Sequence, residues 1–162
     1  MIKKKKKKQK NYTPYIVGGI FVFLLVMIFL PGLFKKSSKV TELENGNIEI
    51  DISNLSTKGK FFTHNFDGTT MEFFAVKDKN GKLRMAFNRC QVCYGTGRGY
   101  FIQEGNEFVC QNCGNRYSLT MIGNEKGGCN PSPIMATDRI AKENLVEIKS
   151  SIFKENEYMF AK

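Results

Sequence analysis

Five cysteines carry the chemistry open to this sequence. Four of them fall as Cys90-Gln-Val-Cys93 and Cys110-Gln-Asn-Cys113, with 16 residues between the pairs, and the fifth stands in Gly127-Gly128-Cys129-Asn130-Pro131. A two-residue spacer lets both sulfurs of one tight turn face the same ion, so two such pairs match the four-thiolate pattern that closes a tetrahedral metal site. Zinc, a single iron and an iron-sulfur cluster all accept that donor set. Zinc would make the site a structural staple, and iron would make it an electron carrier tuned by burial and by hydrogen bonds to sulfur.

Other uses of the thiols compete with a metal. Structural disulfides would have to bridge from one pair to the other, because a disulfide within Cys-x-x-Cys is redox-active and a poor staple. Dithiol exchange lacks the setting of a strand entering a long helix. Covalent c-type haem is excluded for this motif, since Tyr94 and Gly114 stand where its histidine must be. A single site built from Cys90, Cys93, Cys110 and Cys113 is the reading that spacing favours.

Cys129 and His64 are the remaining soft donors. Two glycines before Cys129 and a proline after it imply a tight backbone that places a sulfur, against the plainer reading of a buried cysteine acting as a small hydrophobe. As a ligand it would serve a second metal or replace one of the four; as a thiol it would resolve a disulfide. His64, the sole histidine, alternates on one face with Phe62 and Phe66. It reads as a satisfied core histidine ahead of a ligand, with Cys129 the partner expected if it does ligate. With one histidine, no paired carboxylates and no phosphate-binding glycine loop that opens a helix, hydrolytic catalysis is disfavoured and the chain does not read as a stand-alone enzyme.

The elements that must position these residues are short strands. Ile48, Ile50 and Ile52 alternate with Glu49, Asp51 and Ser53, the period of a half-buried strand. Further strands are expected over 60–66, 70–76 and 82–88, with Asp67-Gly68 and Asn80-Gly81 as hairpin turns of the type that needs positive φ at both central residues. The third of these delivers Cys90. A second hairpin, 100–103 and 107–110 turning at Gly105-Asn106, delivers Cys110, while Gly95, Gly97 and Gly99 read as a flexible loop between. A strand over 145–149 and a short terminal helix opening at Ser150-Ser151 complete a mainly β domain, small and antiparallel, with a rubredoxin-like or zinc-ribbon-like metal site of four cysteines.

Net charge is +10, but residues 1–39 hold ten lysines and no acid, so the remaining 15 basic residues are matched by 15 acidic ones. A folded domain without a basic face is not a nucleic-acid binder. Residues 16–34 run 19 positions without a charge, enough at about 1.5 Å per residue to cross a hydrocarbon core as one transmembrane helix. Signal-peptide cleavage is disfavoured because no small-residue site follows the run. Seven lysines precede the span and three follow it, which keeps the N-terminus cytoplasmic. The expected organisation is therefore a cytoplasmic Lys-rich tail over 1–15, the span over 16–34, a linker over 35–47 and an extracytoplasmic Cys-rich domain over 48–162 of a single-pass cell-membrane protein.

Taken together, Ala86-Phe-Asn-Arg-Cys90-Gln-Val-Cys93, Gly99-Tyr100, Glu104-Gly105, Val109-Cys110-Gln-Asn-Cys113-Gly114 and Gly127-Gly128-Cys129-Asn130-Pro131 closely resemble the FtrD-like family of membrane iron-sulfur-containing proteins. The resemblance covers about residues 45 to 160. It implies a metal-binding domain on the outer side of the membrane, with Cys90, Cys93, Cys110, Cys113 and Cys129 as the functional set and iron or an iron-sulfur cluster as cofactor. It also implies an iron permease or other transporter subunits as partners, for which the domain would handle electrons or ferrous iron. Larger members have many spans and sometimes ferredoxin-like motifs, whereas this chain has one span and five cysteines, so electrons would have to come from or pass to another protein. A zinc-stapled interaction module without redox activity and a thiol-disulfide oxidoreductase using Cys129 are the alternatives.

Overall fold

A computed structural model describes residues 39–161, which lie within one compact unit spanning Ser37–Lys162. The Lys-rich tail and the apolar segment over 16–34 lie outside the described residues. Among the described residues no helix is long and apolar enough to cross a membrane.

The described residues form eleven strands and one short α-helix: β1 Val40–Glu42, β2 Ile48–Asp51, β3 Lys60–Phe66, β4 Thr69–Lys77, β5 Leu83–Cys90, β6 Phe101–Glu104, β7 Glu107–Cys110, β8 Arg116–Ser118, β9 Pro131–Pro133, β10 Arg139–Ala141, β11 Leu145–Ile148 and α1 Ser150–Asn156. They pair as three antiparallel sheets, β1-β2-β11-β10, β3-β4-β5-β9 and β6-β7-β8.

The middle sheet is apolar on both faces, and that makes it the organiser. On β4 and β5, Met71, Phe73, Ala75, Met85 and Phe87 point one way, into a cluster with Ile48, Ile50, Val146, Ile148 and Phe153. The intervening Phe74, Val76, Ala86 and Cys90 point the other way, into a cluster with Phe101, Phe108, Tyr117, Leu119 and Ile122. The two-residue period of a strand thus separates a structural core from one that contains cysteine. α1 closes the first core: Phe153 sits edge-on to Phe73 and Phe87, with ring centroids 5.8 and 5.4 Å away.

The β3–β4 hairpin turns as its sequence predicts, with Asp67 at φ 46° and Gly68 at φ 87°. The β4–β5 connection does not. Only Gly81 is left-handed there, at φ 75°, and the loop closes through Gly81 N to Asp78 O and Asp78 N to Lys82 O. The buried Asp78 carboxylate decides this geometry, accepting from Asn80 N, Lys82 N and Arg84 Nε at 2.9, 3.0 and 2.9 Å. The expected linker over 35–47 also needs correction, because β1 lies in it and pairs Val40 with Ile50. Pro131 and Pro133 enter the middle sheet as β9, at its edge, where a missing N–H costs no ladder bond.

Candidate metal centre

Three segments converge to build the centre. β5 ends at Cys90, whose N–H donates to Gly99 O at 2.7 Å, while Cys93 N–H turns back to Cys90 Sγ at 3.4 Å. Gly99 is there because nothing larger fits: a Cβ at that position would stand 2.3 Å from Cys93 O and 2.4 Å from Cys93 C. β7 ends at Cys110, and Gly114 N–H donates to Cys110 O at 2.9 Å to close the second turn. The two turns are joined by Asn88, whose Oδ1 accepts Phe101 N–H at 2.7 Å, and by Gln111 N donating to Tyr100 O at 2.8 Å.

The third segment brings Cys129. Gly127 and Gly128 both adopt left-handed φ, 94° and 73°, a succession that side chains at Cβ would resist. The loop is then fastened to the first turn: Gly127 N donates to Gln91 Oε1 at 2.8 Å, Gln91 N to Asn130 O at 3.1 Å, and the Cys90 thiol to Cys129 O at 3.2 Å.

All five cysteines are free thiols. Their sulfurs gather as two groups, Cys90 with Cys93 and Cys129, and Cys93 with Cys110 and Cys113, each with its sulfurs within 4.8 Å of one another. Cys90, Cys93 and Cys110 are buried, Cys129 is half-buried, and Cys113 is exposed. The centre therefore has an apolar floor and one edge toward solvent. A set of soft thiolates at this separation fits iron, an iron-sulfur cluster or zinc.

Electrostatics within the group are uneven. Burial pushes the Cys90 thiol up to about 12, against the favourable N–H groups of Cys93 and Val92. At Cys113 the Asn115 N–H favours the thiolate, yet desolvation and the Cys110 and Cys93 thiols raise it to about 11. Cys93 moves the opposite way, held down by the Asn112 amide and by hydrogen bonds from Cys90, Cys113 and Cys110 against the cost of burial.

His64 joins neither group. It is 8 % exposed, edge-on to Phe153 with ring centroids 4.9 Å apart, and its Nδ1 lies 3.5 Å from Glu42 Oε1. Burial holds its pKa below the ordinary value, with Glu42 opposing. Asn112, Asn88, Gly99 and Gln91 are site residues that spacing did not single out. In sequence Gly99 reads as one glycine of a flexible loop, and its close approach to Cys93 is a through-space fact.

No curated protein and no solved structure matches the chain. The family model described as membrane iron-sulfur containing protein FtrD-like does match, over residues 55–160, a stretch that takes in all five cysteines and every strand from β3 onward, and the chain belongs to that family.

Proposed function

We propose that this protein is a membrane-anchored accessory of a ferrous-iron transport system, bearing iron or an iron-sulfur cluster on its five-cysteine centre and passing electrons, or the metal itself, to or from the permease. The observation that carries the reading is the asymmetry of the centre. Three sulfurs are buried in an apolar cluster while Cys113 is exposed, so the thiolates are held rigidly yet one reaches the surface where a partner can approach. Burial and N–H groups directed at sulfur are the two levers by which a protein sets the potential of such a group. When bound, iron supplies the one-electron chemistry; the chain supplies the thiolates, the dry floor and the exposed edge. The charge-free segment over 16–34 would anchor the domain and raise its effective concentration beside an integral membrane partner, with the lysine asymmetry directing the N-terminus to the cytoplasm and the centre to the outside.

The test is elemental analysis and a visible spectrum of the full chain purified in detergent without oxygen. Iron with thiolate charge-transfer bands that bleach reversibly on reduction is the expected result. Zinc with no visible absorption would replace this reading with that of a structural module acting through partner contacts.

A further inference from the structure

We propose that the centre accommodates two metal ions rather than one, with Cys93 Sγ shared between them, Cys90 and Cys129 completing one three-sulfur set, and Cys110 and Cys113 the other. The proposal rests on the reading that these cysteines ligate metal, and goes beyond it by fixing how many ions are held and what each sulfur does.

The sulfur positions argue for it first. A metal–sulfur bond of about 2.3 Å in a tetrahedral site sets its sulfurs about 3.8 Å apart, so one group within 4.8 Å has the dimensions of one ion's ligand shell. Two such groups exist, and neither contains all of Cys90, Cys93, Cys110 and Cys113, as one closed four-sulfur site would require. They meet at Cys93 alone.

The way Cys129 is held points to the same division. A free cysteine used as filler needs no special backbone. Here two consecutive left-handed glycines, the Gln91 side chain, the Gln91–Asn130 backbone bond and the Cys90–Pro131 pairing at the sheet edge all fix the segment around it. Those tethers end on the residues of the first cysteine turn, so Cys129 is built into the same unit as Cys90 and Cys93.

Charge favours two ions as well. One divalent ion on four thiolates, with the fifth cysteine still a thiol, leaves two negative charges in a half-buried site, whereas two divalent ions on five thiolates leave one. Uncompensated charge removed from water is costly, and the two-ion state is the one this apolar floor tolerates. Each ion would then have three protein sulfurs and one position open, the mark of a site that exchanges a ligand rather than a closed staple. Those positions are available to sulfide, water or a partner's side chain, because His64 belongs to the opposite core.

Cobalt(II) is the probe, added without oxygen to the metal-free full chain in detergent. Absorption from thiolate charge transfer should saturate at two equivalents. The half-integer electron paramagnetic resonance signal should rise to one equivalent and then fall as the second ion couples to the first through the shared sulfur. Cys129→Ser and Cys110→Ser should each saturate at one equivalent with the signal retained, and Cys93→Ser should lose the coupled state; circular dichroism of each variant verifies its fold. Saturation of the wild type at one equivalent, or two equivalents persisting in Cys129→Ser, overturns the proposal while leaving a metal-bearing function in place. Absence of any stoichiometric metal binding would overturn both.

Discussion

Replacing Gly99 by alanine tests whether the geometry of the first cysteine turn is what makes the centre. The atoms that the new Cβ would meet are Cys93 O at 2.3 Å, Cys93 C at 2.4 Å and Tyr94 N at 2.7 Å. All three are backbone, so no side-chain rotation relieves the contact. Comfortable carbon contacts begin at about 3.5 Å, and the turn must therefore open by roughly 1 Å. Such overpacking costs about 1–3 kcal/mol, while a bound group needs its ligands held to within about 0.5 Å. The disturbance falls on Cys93, the sulfur common to both groups.

Gly95 supplies the internal control. It lies in the same loop, has an ordinary φ, and a Cβ there meets nothing within 4 Å. Gly95→Ala should stay within about 0.5 kcal/mol of the wild type. Gly99→Ala should lower the melting temperature of the metal-free protein by roughly 3–15 °C and reduce metal content per chain in parallel. Calorimetry and elemental analysis on the same preparations decide it. Wild-type stability and metal content in Gly99→Ala, or equal damage from Gly95→Ala, would refute the steric argument.

Five further outcomes are expected. Phe74 is fully buried and stacked on Phe108 with centroids 4.1 Å apart, so Phe74→Ala should cost about 3–5 kcal/mol in urea unfolding, and a loss below about 1 kcal/mol would contradict that packing. Because Cys90 and Cys113 are raised to about 12 and 11, both are protonated at neutral pH. Metal must displace those protons, and apparent affinity, measured by competition with a chelator, should rise with pH. The same raised values mean that the metal-free fold keeps their stabilisation below the ordinary thiol range, near 9, and loses it as pH climbs from there toward 12. A flat stability profile from pH 8 to 11 would count against it. His64 has a lowered pKa, so its contribution is present above the ordinary histidine range, near 6.5, and is lost as pH falls below it; His64→Gln should flatten that part of the acid limb, and an unchanged slope would exclude the assignment. Removing metal should speed amide exchange in β6–β8, whose core contains the cysteines, while Ile48, Ile50 and Val146 in the other core keep their protection.

Much of the fold was legible because its strands are written in local terms. The alternation at Ile48, Ile50 and Ile52, the full extent of β3 and the Asp67-Gly68 turn follow from period and turn chemistry within a dozen residues. Sheet membership was not, because it depends on pairings such as Ile50 with Val146, which no short window contains. The Asn80-Gly81 turn falls where the sequence places it but not in the expected type, for a related reason: the Asp78 carboxylate competes for the loop's N–H groups and selects another closure.

The centre divides along the same line. Chain spacing showed that each cysteine pair forms one turn, yet spacing measures separation along the chain and says nothing about which sulfurs meet across it. The two groups each mix segments, and the sulfur they share belongs to the first pair while reaching the second. The three alternate glycines that follow the first pair look alike in sequence and do different work: Gly97 turns left-handed at φ 73°, Gly99 admits the Cys93 carbonyl, and Gly95 meets nothing. What converts the local turns into one centre is the middle sheet. Its second face carries Cys90 into the cluster that also buries Phe108 and Cys110, so the strand period that builds the core also sets the distance between the sulfurs.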